Sequence, residues 1–172
     1  MTNLSFKKKP LVLLFASFFL TSPVTVESRE KSPPSEQHFD AWTRRCTETT
    51  TSEKQCILYQ TYVGKNKNTL LVAEIAADKK SKEHIMQITV PFGILLLAPL
   101  QIAIDNRTQA ELPYVQCQPN GCTTSVSLPS EFIDKLKAGR KMTLKYALPD
   151  QSFIEAPLSL HGITAGLKSL AS

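Results

Sequence analysis

Polar and apolar side chains alternate without a break along Lys141-Met142-Thr143-Leu144-Lys145-Tyr146. Because successive side chains of an extended strand point to opposite faces, this period of two predicts a half-buried β-strand. Similar runs recur along the chain and bring the total to about eight predicted strands. The others lie at 55–63, 69–77, 84–90, 100–105, 112–118, 121–128 and 153–160. Short strands separated by glycine and proline predict an all-β fold, an antiparallel β-sandwich of two packed sheets.

A tight hairpin is predicted at 114–123. Asn120 and Gly121 readily adopt the positive backbone φ angles that a short hairpin turn needs. Cys117 and Cys122 flank this turn and can face each other across it. We therefore expect a hairpin that is closed by its own disulfide.

One or two short helices are predicted beside the strands. Pro129 and Ser130 are typical of a helix start, and Gly139 is typical of a helix end. Three apolar residues between them, Phe132, Ile133 and Leu136, share one face of that helix. Residues 162–170 predict a second short helix that covers one end of a sheet.

The first residues predict a cleavable signal peptide, because three lysines at 7–9 precede an apolar run at 11–20 and then small polar residues. The apolar run is about half as long as the roughly 20 residues that a membrane-spanning helix needs. We therefore expect no transmembrane anchor in the mature chain. Cleavage near residue 28 would leave a flexible polar lead-in at 29–40 and one domain at 41–172.

The mature domain is predicted to be weakly basic. The whole chain has 20 Lys and Arg against 15 Asp and Glu; residues 1–28 hold three lysines and one glutamate, so 17 minus 14 leaves +3. The lysines are scattered along the chain, and an exported protein rarely meets nucleic acid, so no nucleic-acid partner is expected. Weak attraction to anionic surfaces remains open.

The four cysteines predict two disulfides, because an even number of cysteines in an exported chain favours pairing over free thiols. Three connectivities are possible. We favour Cys46 with Cys56 and Cys117 with Cys122, which closes two short loops. A zinc site or a thioredoxin-like redox site would need the tighter Cys-x-x-Cys spacing, so neither is expected.

The most hydrophobic part of the mature chain, 90–100, has two interpretations. We favour a buried turn and strand start that prolines punctuate. As an exposed loop it would insert into lipid or dock a partner through Phe92, Leu95 and Leu97. Trp42 has two interpretations as well: a core residue packed beside a disulfide, which we favour, or an aromatic binding residue at the domain edge.

Short motifs follow one another over the whole mature domain. They are Trp42-x-x-x-Cys46, Cys56-x-Leu58-x-Gln60, Val90-Pro91-Phe92-Gly93, Ile102-x-Ile104-Asp105, Leu112-Pro113-Tyr114, Cys117 to Gly121-Cys122, Lys137-Ala138-Gly139 and Pro157-Leu158-Ser159-Leu160-x-Gly162. In order and spacing they resemble the invasion-associated locus B family of exported bacterial proteins. The resemblance implies an immunoglobulin-like β-sandwich that is periplasmic, outer-membrane-associated or secreted. It also implies a link to host-cell invasion or stress survival, and hence to virulence, with no established catalytic residues.

The leading hypothesis is a non-enzymatic exported cell-envelope or secreted protein that binds a protein, glycan or membrane partner on the envelope or on a host surface. No catalytic residue, metal site or cofactor is predicted. One alternative is an envelope hydrolase that uses Ser159 and His161, which share a strand face. The sequence lacks a nucleophile-elbow motif around Ser159. A hydrolase site would also require that Ser159 and His161 lie in an exposed cleft with a nearby carboxylate. Another alternative is a periplasmic chaperone-like module that pairs client strands with an open sheet edge.

Overall fold

The structure, a computed structural model, describes residues 34–48, 53–78 and 83–170. The signal peptide predicted at 1–28 lies outside these residues, as do residues 29–33 of the lead-in. The described residues form eleven strands and two helices. They are β1 (Ser35–Phe39), β2 (Trp42–Glu48), β3 (Lys54–Val63), β4 (Thr69–Ala77), β5 (His84–Val90), β6 (Leu100–Ile104), β7 (Arg107–Leu112), β8 (Gln116–Gln118), β9 (Gly121–Leu128), α1 (Ser130–Ala138), β10 (Lys141–Ala147), β11 (Phe153–Ser159) and α2 (Ile163–Leu170).

The strands form two antiparallel sheets, which confirms the predicted all-β sandwich. The larger sheet has seven strands in the order β1-β2-β3-β4-β5-β9-β8, and the smaller has four in the order β11-β10-β6-β7. The chain builds a five-strand meander, crosses to the small sheet for β6 and β7, returns for β8 and β9, and crosses again after α1. Two sheets with crossing connections are shared with immunoglobulin domains, whereas the long meander differs from the ABED and CFG sheets of those domains.

One hydrophobic core joins the inner faces of the two sheets. In the large sheet, Leu58 lies opposite Ile75, and Ile75 lies opposite Met86, and all three side chains are fully buried. In the small sheet, Leu144 lies opposite Ile102, and both are fully buried. Residues directly opposite each other in an antiparallel pair point to the same face, so these rows form continuous apolar layers.

Both predicted helices are confirmed. Helix α1 follows Pro129 and ends before Gly139, whose backbone N–H donates to the Lys135 carbonyl. Helix α2 passes so close to the large sheet that a Cβ on Gly166 would lie 2.7 Å from a Leu58 methyl carbon. Within the described ranges, neither helix is long and apolar enough to span a bilayer.

The flexible lead-in expected at 29–40 is wrong for residues 35–39, which form β1 and pair with β2 over their whole length. Four of these five residues are polar, so no apolar alternation marks the strand. Side-chain hydrogen bonds to β2 and β3 stabilise β1 in addition to its backbone pairing. The Tyr59 hydroxyl donates to Glu36 at 3.2 Å, and the Arg44 guanidinium donates to the Gln37 side-chain oxygen at 2.8 Å.

The single strand expected at 112–118 is also wrong. Leu112 is the last residue of β7, in the small sheet, whereas β8 begins at Gln116 in the large sheet. Pro113 has no backbone N–H to donate to a ladder, so the first strand ends there. The chain uses residues 113–115 to cross from one sheet to the other.

Candidate functional site

Residues 91–99 connect β5 to β6 as an exposed apolar loop. Leu97 is 93% exposed, Phe92 59% and Leu96 53%. The favoured interpretation of this stretch as a buried turn is therefore wrong for these three side chains. It holds only at the two ends, where Val90 and Leu100 are buried in the core. Leu95, one of the predicted contact residues, is partly buried.

Backbone hydrogen bonds fix this loop against the small sheet. The Leu95 N–H donates to the carbonyl of Ala147, the last residue of β10, at 2.9 Å, and the Ala98 N–H donates to the Leu95 carbonyl at 3.1 Å. Gly93 allows the chain to turn with a φ of +85°. Leu96 and Leu97 lie between two hydrogen-bonded residues, Leu95 and Ala98. These bonds therefore fix the loop conformation in which Leu96 and Leu97 are exposed.

A fourth exposed apolar side chain, Phe153, begins β11 next to the loop. It is 57% exposed and lies directly opposite Ala147, the residue that accepts the hydrogen bond from the loop. The Lys145 ammonium lies 4.3 Å from the centroid of the Phe153 ring and 3.5 Å from the Glu155 carboxylate. We call Phe92, Leu96, Leu97 and Phe153 the apolar surface.

Sequence reasoning missed two members of the apolar surface. Leu96 lies inside the hydrophobic run that was identified, between two residues that were named. Phe153 belongs to a strand whose alternate residues Ala156 and Leu158 are buried, so it falls on the outward face with Glu155. The alternation along β11 predicts that Phe153 points outward. An apolar residue at the start of a strand is nevertheless easily taken for a core residue.

Tyr146 lies in the core, and Tyr62 and Tyr114 are partly buried and pack against the core. The Tyr146 hydroxyl donates to the Leu70 carbonyl at 3.0 Å and so ties the small sheet to the large one. The Tyr114 hydroxyl is buried and has no hydrogen-bond partner within the described residues. Burial, followed by the nearby phenol of Tyr146, raises the pKa of Tyr114 to about 12. Burial and then Tyr62 raise the pKa of Tyr146.

Trp42 is fully buried, so it does not lie on a binding surface. Its indole Nε1–H donates to the Ser159 carbonyl at 2.9 Å, and the same carbonyl accepts from the Gln60 side-chain nitrogen at 2.9 Å. The Gln60 side-chain oxygen in turn accepts from the Ser159 N–H. Trp42 is therefore a structural core residue, as we favoured, and its indole links β2 to the end of β11.

Ser159 and His161 do not form a nucleophile and base pair in this geometry. The Ser159 hydroxyl accepts a hydrogen bond from the backbone N–H of His161 at 3.2 Å. Both backbone polar groups of Ser159 are engaged by Trp42 and Gln60, which fix the strand end. The contact between the two residues is thus a local turn interaction, and the arrangement gives no support to the hydrolase alternative.

Both favoured cysteine pairings are confirmed. Cys46 is bonded to Cys56 across β2 and β3, and Cys117 is bonded to Cys122 across β8 and β9. In each case the two residues lie directly opposite one another, with Cα–Cα distances of 4.0 Å and 3.9 Å. The second pair fastens the three-residue edge strand β8 to the sheet. The four cysteines are therefore structural.

The described residues offer no cluster of three or more His, Cys, Asp or Glu that could hold a metal ion. A cavity of about 460 Å³ lies between the start of β5 and α1 and is lined in part by His84 and Lys137. Burial, and then the charge of Lys137, lowers the pKa of His84. Both effects favour the neutral imidazole.

The sheet edges are unsuited to pairing with another strand. In the small sheet, edge strand β11 contains Pro157, which cannot donate to a ladder, and edge strand β7 carries Arg107 and Glu111. In the large sheet, β8 has only three residues and β1 carries Glu36. Short, charged or proline-containing edges resist strand addition, so this geometry does not favour a chaperone-like module.

Comparison with known proteins agrees with this fold. The chain is 27% identical over 123 residues to invasion protein B of Bartonella bacilliformis, a match that covers 69% of this chain and 66% of that protein. The crystal structure of invasion associated protein b from Bartonella henselae has the same fold, with a TM-score of 0.71 at 20% identity over 80% of this chain and 95% of that one. The family model for the invasion associated locus B (IalB) protein matches residues 42–171. The described sandwich and this match together place the chain in the invasion associated locus B family.

Proposed function

We propose that this chain is an exported, non-enzymatic protein of the cell envelope or its surroundings that supports host-cell invasion by binding a partner through the apolar surface. The observation that carries the proposal is the exposed loop with Leu97 at its tip, 93% exposed and flanked by Phe92 and Leu96. Soluble proteins rarely gather such side chains on one surface unless the surface meets a partner.

Export is supported by two independent features of the chain. The lysine cluster and apolar run before residue 28 have the order of a signal peptide. Two disulfides also fit an oxidising compartment, such as the periplasm or the exterior of the cell, since cytosolic reductants keep thiols reduced. Periplasmic, outer-membrane-associated and secreted destinations are all compatible with both features.

A binding role fits the described residues better than a catalytic one. The Ser159 hydroxyl is engaged by a backbone N–H and not by the His161 ring. The relative in Bartonella bacilliformis is named for invasion. The contact residues proposed here are Phe92, Leu96, Leu97 and Phe153, with Leu95 as the anchor of the loop.

Direct binding measurements test this function. Purified mature protein would be titrated against host-cell surfaces and bacterial envelope fractions, beside Leu97→Glu and Ile85→Glu. Ile85 is 39% exposed at the opposite end of β5, so it is a matched apolar-to-charged control. We expect saturable binding by the wild type and by the Ile85 variant, and loss of binding by the Leu97 variant and by reduced protein.

Two results would contradict the proposed function. Absence of saturable binding to either preparation would remove the binding role. Equal binding by wild type and Leu97→Glu would remove the apolar surface from it. Binding to host surfaces alone would favour an adhesin-like secreted protein, and binding to envelope fractions alone would favour a role in the envelope.

A further inference from the structure

We infer that the partner of the apolar surface is a lipid bilayer with anionic headgroups, into which the loop inserts to a shallow depth. This inference rests on the proposed function and specifies its partner. It is carried by the chemistry of the loop, by the backbone contacts that hold it, and by the charges beside it.

The loop presents hydrocarbon without polar side chains. Residues 91–99 read Pro, Phe, Gly, Ile, Leu, Leu, Leu, Ala and Pro, so no side chain in the loop can donate or accept a hydrogen bond. Protein interfaces carry about one hydrogen bond per 100–200 Å² and therefore place polar groups among the apolar ones. Hydrocarbon offers no such partners, so a loop without polar side chains matches a bilayer better than it matches a protein surface.

The backbone of the loop is partly prepared for an apolar medium. An unpaired N–H or C=O is costly in hydrocarbon, so segments that enter lipid must satisfy these groups internally. The N–H groups of Leu95 and Ala98 are both paired, to the carbonyls of Ala147 and Leu95. These bonds hold Leu96 and Leu97 outward, and little conformational entropy would be lost when the two side chains insert.

Cationic residues flank the loop where anionic headgroups would lie. Strand β4 begins at Thr69 and its antiparallel neighbour β5 ends at Val90, so the start of β4 and the start of the loop lie at the same end of the large sheet. The turn before Thr69 contains the exposed residues Lys65 and Lys67, and it therefore lies at the same end of the large sheet. Lysines near an anionic bilayer surface each strengthen binding.

A third lysine and two carboxylates also lie near the apolar surface. Lys145 lies against the Phe153 ring, where its aliphatic stem can lie along apolar surface while the ammonium reaches the headgroups. Asp150 lies in the turn between β10 and β11, where it accepts hydrogen bonds from Ser152. Since Glu155 partly neutralises Lys145, the flanking charge is carried mainly by the β3–β4 turn.

Vesicle binding tests this inference. Mature protein would be titrated with vesicles of phosphatidylcholine alone and of equal parts phosphatidylcholine and phosphatidylglycerol. We expect binding to the anionic vesicles that weakens with salt. Leu97→Glu should lose roughly tenfold or more of this binding, because a charge would replace a leucine that inserts into the bilayer. Lys65→Gln with Lys67→Gln should weaken anionic binding by about fivefold per lysine. Ile85→Glu should bind as the wild type does.

The outcomes separate this inference from the proposed function. Binding to envelope fractions that needs Leu97, with no binding to either vesicle, would overturn the lipid partner and leave the proposed function intact. Equal binding of vesicles by wild type and Leu97→Glu would overturn the assignment to the loop. Absence of binding to vesicles, envelope fractions and host cells would overturn both. Unchanged thermal unfolding of each variant would show that the comparisons are made on folded protein.

Discussion

Gly162 shows how one residue without a Cβ fixes the junction between the small sheet and α2. Its φ is +83°, and a Cβ there would overlap the Phe39 carbonyl oxygen, a backbone atom that cannot move aside cheaply. Gly93 has a similar φ of +85° but open space around its Cβ position. The two glycines therefore separate the cost of backbone strain from the cost of a steric clash.

We expect Gly162→Ala to lower the free energy of unfolding by roughly 3 kcal/mol or more, and Gly93→Ala to lower it by about 1 kcal/mol, the cost of the left-handed conformation alone. Urea unfolding of both variants measures the difference. Similar losses at the two positions would show that the contact between Gly162 and Phe39 does not constrain the chain.

The tyrosines below the apolar surface form a second matched pair. Tyr146→Phe removes a hydrogen bond to the Leu70 carbonyl and should cost about 1 to 3 kcal/mol of unfolding free energy. Tyr114→Phe removes a buried hydroxyl that has no partner in the described part of the chain, so it should be neutral or stabilising. Thermal unfolding distinguishes the two variants, and a larger loss for Tyr114→Phe would contradict the assignment.

Tyr114 also predicts a pH dependence of stability. Its pKa is about 12 in the folded protein against 10.0 for a free tyrosine, so the folded state favours the neutral phenol. The stabilisation is complete below pH 10 and is lost as the pH rises from about 10 to 12. Unfolding free energies measured across this range should fall more steeply for wild type than for Tyr114→Phe. Parallel curves would contradict the burial of this phenol.

Individual side chains were predictable where the local pattern decides their environment. The burial of Met142, Leu144 and Tyr146 followed from alternation. Trp42 was predicted to lie in the core because it precedes a disulfide cysteine, Cys46, by four residues. The exposure of Leu97 was not predictable, because hydrophobicity alone does not distinguish a buried apolar run from one that the loop geometry holds outward.

The two disulfides make a prediction at the scale of the element. Cys117–Cys122 spans a sequence separation of 5 and Cys46–Cys56 a separation of 10. If disulfides act by restricting the unfolded chain, replacing each pair by alanine should cost about 2 and about 2.7 kcal/mol respectively. Urea unfolding of the two double variants measures these losses.

Removal of Cys117–Cys122 should also have a local effect. Strand β8 has three residues, all exposed, and only a short ladder joins it to β9, so the disulfide should contribute much of the stability of this edge. Amide hydrogen exchange at 116–118 should accelerate in that variant and remain unchanged when Cys46 and Cys56 are replaced. Unaltered protection at β8 would contradict the view that the disulfide holds this edge.

Most strands with an apolar face were predictable, although β2 and β7 were missed, and so was β1. Its residues are polar, and its order depends on β2 and on side chains far along the chain, such as Tyr59. The break between β7 and β8 carried a visible signal in Pro113, but the crossing between sheets depends on tertiary packing. The helix after Pro129 was predictable because its start, apolar face and end are all local.

The described part of the molecule consists of a disulfide-stapled sandwich that carries the apolar surface at one end. The core, the buried Trp42 and the disulfides account for the fold, while Leu97 and its neighbours contribute little to it because they are exposed. The sheet architecture followed from sequence periodicity. The surface required three-dimensional information, since Phe153 is brought beside the loop by the contact between Leu95 and Ala147.

The central claim, that the apolar surface is the part of the molecule that meets the partner, is tested most directly by a fluorescent label at its tip. All four native cysteines are paired, so Leu97→Cys and Ile85→Cys each introduce a unique thiol for an environment-sensitive dye. On addition of bacterial envelope fractions or host-cell membranes, we expect the dye at 97 to move to an apolar, quencher-protected environment and the dye at 85 to remain in water. Equal responses at the two positions, or a response at 85 alone, would contradict the account.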